Sequence, residues 1–186
     1  MAETFDAIDE SLAAWVRDQK MFFVATAPKS DEGLVNCSPK GMDTFRILSP
    51  NKVAYLDLTG SGVETIAHLK ENGRIVIMMC AFEGGPRIVR FHGRGKVLEA
   101  GSPGYAETIS EFTAIPGVRS IILIHVTRIG DSCGYSVPLY DYRGNREVLT
   151  KWAVNKGADG VLDYQQNNNL KSLDGLPGLT SRPASA

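Results

Sequence analysis

Apolar side chains follow a helical repeat at the start of the chain and a strand repeat after it. Ile8, Leu12, Trp15 and Val16 recur at i, i+4, i+7 and i+8, so they share one face of a helix. Asp6, Asp9 and Glu10 fall early in that segment and Arg17 and Lys20 late, which complements the helix dipole. From Met21 the period shortens to that of a strand. Residues 21–27 predict a strand, 28–33 a polar hairpin loop, and 34–40 a returning strand. That strand sets Asn36, Ser38 and Lys40 on one face and Val35, Cys37 and Pro39 on the other. Strands follow at 44–48 and 53–58, separated by the turn Ser49-Pro50-Asn51. The turn Thr59-Gly60-Ser61-Gly62 then opens a short helix, which Asn72-Gly73 closes.

Residues 74–82 are almost continuously apolar and predict a strand buried on both faces. Residues 87–98 are its expected antiparallel partner across the turn Glu83-Gly84-Gly85-Pro86. One face of that partner carries Arg90, His92, Arg94 and Lys96, and the other Val89, Phe91, Gly93 and Gly95. Glycines on a core face mark tight bending, as at a barrel corner. A helix near 105–112, a strong strand at 120–127 and a helix around 147–156 complete the regular elements, and from Gln165 the chain is polar and rich in Gly and Pro. With no internal repeat and no dividing linker, residues 1–186 read as a single domain, mainly β with flanking helices, closed into a small barrel.

Composition narrows the class. The balance of 43% hydrophobic and 22% charged residues is that of a soluble globular protein. A formal net charge of −1 provides no long-range attraction for nucleic acid or an anionic membrane, so any anion site has to be local. Cys37, Cys80 and Cys133 are too sparse for a disulfide framework. The acidic start has no signal-peptide core, and no apolar run approaches the ~20 residues of a membrane span. The expected location is cytoplasmic, without membrane or nucleic-acid partners.

Five groups of residues carry candidate chemistry. The strand–turn–helix junction at residues 59–65 offers backbone N–H groups and a positive dipole end, which suit a phosphate. Ser61 and Glu64 also spell S-x-x-E, a capping box that would satisfy those donors internally. The polar face of Asn36, Ser38 and Lys40 fits either a ligand wall or a solvated strand. The basic face from Arg90 to Lys96 reads as a solvated edge, since Lys and Arg blunt strand edges. His68, His92 and His125 lack ligand spacing, and His125, within an apolar run, reads as a core histidine. Cys133 has no base placed beside it and reads as structural.

Taken in order, these motifs resemble the pyridoxamine 5′-phosphate oxidase-like split β-barrels that bind flavin mononucleotide (FMN). The resemblance runs from Met21-Phe22-Phe23-Val24-Ala25-Thr26 through Asn36–Lys40 and Tyr55–Ser61, then Glu71-Asn72-Gly73-Arg74-Ile75 and Pro86-Arg87-Ile88-Val89-Arg90-Phe91-His92-Gly93. The blocks Ser132-Cys133-Gly134-Tyr135-Ser136-Val137-Pro138 and Leu173-Asp174-Gly175-Leu176-Pro177 are similar to one branch of relatives without a settled reaction. The resemblance implies a homodimer with FMN in a groove between subunits. Asn36, Ser38, Pro39 and Lys40 would face the flavin and its tail, and Leu58, Thr59, Ser61 and Thr65 would continue the groove, with Ser61 and Thr65 nearest the phosphate. Arg87 would lie close to the ring or phosphate. Gly62, Val63 and Glu64 stand where the oxidase carries basic residues, so Lys40 and Arg87 are expected to supply the compensating charge. The ending Leu179-Thr180-Ser181-Arg182-Pro183-Ala184-Ser185-Ala186 does not match the oxidase's substrate-binding Arg motif, so pyridoxamine phosphate oxidation is not carried over. The implied activity is electron transfer between flavin and a small-molecule substrate. The alternative is a non-catalytic holder of flavin, deazaflavin or haem.

Overall fold

The computed structural model describes residues 3–181; the ending from Arg182 lies outside the described residues. The order is β1 (Glu3–Phe5), α1 (Glu10–Asp18), β2 (Met21–Thr26), β3 (Asn36–Gly41), β4 (Phe45–Ser49), β5 (Lys52–Leu58), α2 (Glu64–Asn72), β6 (Arg74–Cys80), β7 (Ile88–Glu99), α3 (Tyr105–Ile109), β8 (Val118–Ser132) and α4 (Val148–Asn168). Seven strands form one antiparallel sheet ordered β3-β2-β6-β7-β8-β5-β4, and β1 pairs with the far end of β8. The two ends of this sheet curl together. Phe22 of β2 packs on Phe45 of β4 and Tyr55 of β5, with ring centroids 5.1 and 5.4 Å apart. The result is an antiparallel half-barrel with flanking helices.

Local chemistry accounts for most of these elements. Asp9 caps α1 by accepting from the Leu12 N–H at 2.8 Å, and the apolar face of the helix buries Leu12 and Val16. Gly73 closes α2 in the left-handed conformation, with φ 68°. Gly93 and Gly95 are needed for close approach: a Cβ on Gly93 would lie within van der Waals radii of the His125 carbonyl oxygen, and one on Gly95 would meet the Leu69 side chain. Alternate strand residues, including Val24, Ile77, Phe91 and Ile124, are fully buried inside the barrel. Truncating one of them, such as Phe91→Ala, would cost about 3–5 kcal/mol.

Several expectations are corrected. β6 is not buried on both faces. Ile75, Ile77 and Met79 enter the core, whereas Val76 and Met78 are only half-buried and Arg74 is exposed. β7 is central, hydrogen-bonded to β6 and β8, so its basic face protects no edge. A register shift between His92 and Gly93 accompanies the outward placement of His125, which is exposed rather than in the core. β8 runs longer than expected because β7 and β5 line it on opposite sides, with β1 beyond β5. α4 continues past Gly157, whose φ/ψ of 70°/169° breaks it, into the stretch read as a tail. There Gln165, Asn169, Ser172 and Leu179 are buried.

Candidate functional site

A groove of about 1840 Å³ opens between two walls. The barrel wall includes Trp15, Met21, Phe23, Pro39, Lys40, Thr59, Gly60 and Arg87, and the opposite wall comes from the chain after Ser132, including Tyr140, Tyr142, Arg146 and Trp152. The second wall is fastened to the barrel at Phe82: the Tyr140 N–H donates to the Phe82 carbonyl at 3.0 Å, and the rings meet at a 39° tilt with centroids 5.4 Å apart.

Below the groove lies a buried carboxylate. Asp57 is 0% exposed and binds two cations, Arg119 through Nε at 2.6 Å and Lys40 through Nζ at 3.2 Å. Burial alone would raise its pKa. The charges and hydrogen bonds of Arg119 and Lys40 outweigh that effect and hold the carboxyl below its ordinary value. Asp57 is therefore ionised at neutral pH, and two cations on one anion leave an excess of positive charge beside the groove.

Arg119 also donates from Nη1 to the carbonyls of Gly62 at 2.7 Å and Gly60 at 3.4 Å. Asn169, fully buried, donates from Nδ2 to Gly60 O at 2.9 Å and Ser61 O at 3.5 Å. Three successive carbonyls thus turn toward these two side chains, and there is no cis peptide bond among the described residues. In a trans peptide plane the next N–H points the opposite way. The N–H groups of Ser61, Gly62 and Val63 therefore face away from Arg119 and Asn169, and Ser61 and Gly62 are exposed. Thr59 anchors the same turn, donating to Gly117 O at 2.8 Å and accepting from Gln165 Nε2 at 2.7 Å.

The capping box does not form. α2 begins at Glu64 after Val63, with no side-chain cap, and Glu64 instead accepts from the Leu173 N–H at 3.2 Å while its carboxylate leans over Gly62.

Of the nine residues expected at the site, Pro39, Lys40, Thr59 and Arg87 line the groove. The polar face of β3 turns inward: Asn36, Ser38 and Lys40 are half-buried, while Cys37 and Pro39 are exposed. This overturns the reading of that face as solvated. Asn36 bridges Thr65 Oγ1 at 3.0 Å and Thr26 Oγ1 at 3.3 Å, and accepts from Ser38 Oγ at 3.0 Å. It supports its neighbours beneath the groove. Thr26 also bonds His68 Nδ1 at 2.9 Å, and burial lowers the pKa of that histidine. Leu58 packs in the cluster around Leu56 and Ile121, away from the groove. Arg87 is not free to compensate an anion, because it is paired with Asp131 at 2.6 Å and stacked on Trp15 at 4.9 Å.

Asp57, Arg119, Gln165 and Asn169 were missed from sequence. Asp57 had a signal, as a lone acid inside the apolar strand Lys52–Leu58, where burial demands a cation. Cys133 is exposed, so it packs no core; Cys80 is the buried cysteine. Among the described residues no three His, Cys, Asp or Glu side chains are placed to hold a metal, and no helix is long and apolar enough to cross a membrane.

Comparison with known proteins agrees with this architecture. Residues 8–133 match the family model described as pyridoxamine 5′-phosphate oxidase. The chain is 39% identical over 196 aligned positions to the pyridoxamine 5′-phosphate oxidase family protein ustO of Aspergillus flavus, covering 95% of this chain and 78% of that one. Among solved structures, HupZ of Group A Streptococcus superposes with a TM-score of 0.51 at 23% identity, covering 66% of this chain and 91% of its own. A putative pyridoxamine 5′-phosphate oxidase from Lactobacillus delbrueckii also gives a TM-score of 0.51, at 15% identity, covering 67% of this chain and 94% of its own. At those identities the two structures establish the fold alone. By its matched residues and its curated relative, this chain belongs to the pyridoxamine 5′-phosphate oxidase family.

Proposed function

We propose that the protein is a cytoplasmic, homodimeric FMN-binding oxidoreductase that acts on a small molecule. The observation that carries this reading is the Lys40–Asp57–Arg119 cluster at the groove, where Arg119 and Asn169 also hold the carbonyls of the adjoining turn at residues 60–62 inward. That arrangement fits a phosphate monoester on the adjoining groove. Lys40 offers charge toward the groove, being 22% exposed where Arg119 is 5% exposed. Glu64 subtracts from the field at Gly62, so the affinity rests on the cations. Thr59 and Gly60 form the floor, and Trp15 with the stacked Arg87 supplies a flat wall for a ring. A bound flavin would supply two-electron redox chemistry, while the protein positions its ring and excludes water.

The dimer finds support in apolar residues that have no cover in one chain. Tyr140 is 62% and Val148 73% exposed, both on the groove wall, and Val35 is 75% exposed at the edge strand.

The test is to denature purified protein and chromatograph the released pigment, expecting FMN, and to check that a nicotinamide donor bleaches the holoprotein. Release of the adenine dinucleotide, or no uptake on reconstitution, would sink the assignment. A haem absorption band, or flavin that no donor reduces, would support the non-catalytic alternative.

A further inference from the structure

A cationic surface crosses the outer face of the sheet, away from the groove. Register places Arg74 opposite Arg94, Arg94 opposite His125 and His125 opposite Lys52, so one rung carries basic residues across β6, β7, β8 and β5. Along β7, Lys96 and His92 flank that rung, and Arg128 stands opposite His92. All of these side chains are exposed. Among the described residues none of the lysines and arginines in this group enters an ion pair. Arg74 and Arg94 donate only to neutral oxygens, those of Asn72 and Pro28.

Edge protection does not account for them, because β7 is paired on both sides. Like charges directly opposite one another destabilise a sheet, and this one places them so across neighbouring strands. The crowding is felt by His92, whose pKa is lowered by the partial desolvation its neighbours impose and then by the charges of Arg128 and Arg90.

We propose that this face binds an extended acidic segment of a partner protein, lying along β7 with carboxylates at alternate positions. Same-face residues of a strand are about 6.6–6.8 Å apart, and so are alternate side chains of an extended peptide. The cations of β7 and such carboxylates therefore stay in phase. The intervening Val76, Leu123 and Thr127 are not aromatic, and the rings in this group are the imidazoles of His92 and His125, set among cations, so it offers no Phe, Tyr or Trp platform for stacking a base. Val76 and Leu123 are half-buried, so they form no wedge for a bilayer. A second copy related by a two-fold axis through this face would set cations against cations.

The holoprotein is titrated with two labelled decapeptides of equal composition, one alternating Glu and Ser and one with its glutamates in a single block. A single-stranded oligonucleotide and phosphatidylserine vesicles form the other arms. The alternating peptide is expected to bind about tenfold more tightly than the block peptide and to weaken with added salt. The double substitution Lys96→Glu with Arg128→Glu, at exposed positions, should lower that affinity by about tenfold or more. Equal binding of the two peptides, a preference for oligonucleotide or vesicles, or unchanged affinity in a variant that melts like the parent would overturn the proposal. Should the variant not fold, the two-peptide comparison on the parent protein still decides.

Discussion

Lys40→Met keeps the aliphatic stem and removes one of the two cations on Asp57, so it separates a structural role from a ligand role. The carboxylate is 0% exposed and would retain Arg119 at 2.6 Å, with Ser120 Oγ at 3.4 Å. What is lost is one charged hydrogen bond at 3.2 Å from an ammonium that is 22% exposed. That interaction is worth about 1.5–3 kcal/mol, with the lower end expected for a partly solvated donor. Removing Arg119 instead leaves the buried anion to Lys40 alone and should cost about 3–5 kcal/mol. Against a stability of about 5–15 kcal/mol, Lys40→Met should fold and Arg119→Met should be marginal. Urea unfolding of the apo-proteins measures both losses. Titration with FMN and with riboflavin, which lacks the phosphate, then isolates the anion: Lys40→Met should lose roughly ten- to a hundred-fold for FMN and little for riboflavin. Equal losses for the two ligands would refute the phosphate role. An Arg119→Met protein as stable as the parent would refute the account of the buried cluster.

Light scattering should give a particle of twice the 20.2 kDa chain with cofactor bound; a monomer still holding flavin at micromolar concentration would rule out the shared groove. Asn169→Leu should lower stability by about 1–3 kcal/mol and weaken FMN more than riboflavin, because the Gly60 and Ser61 carbonyls lose their buried donor. On acidification, stability should first fall below pH 6.5, where the unfolded chain protonates histidines that the fold keeps neutral, His68 and His92, whose folded pKa values are lowered. A second loss should follow as pH drops below the ordinary carboxylate range through the lowered values of Asp57 and Glu99. Urea midpoints across pH check this, and His68→Gln should reduce the first decline.

Periodicity alone was enough for the strand-rich class, for α1 with its buried face, and for the placement of Gly93 and Gly95 on one face of β7, because alternation and backbone sterics are local properties. The glycine turn at residues 59–62 and the polar face of β3 were legible for the same reason. Their orientation was not. Whether Asn36, Ser38 and Lys40 face water or the barrel depends on which strand lies across from them, and the partner of Lys40, Asp57, comes from β5. The capping box failed because Glu64 finds a backbone donor at Leu173, more than a hundred residues along the chain. Gln165 and Asn169 sit in a stretch that reads as a polar tail, yet they are buried where the Thr59–Gly62 turn needs hydrogen-bond partners. The cationic rung on the outer face exists only through the register of four strands. Burial and pairing between distant segments decided these features, and no local pattern encodes which distant groups will meet.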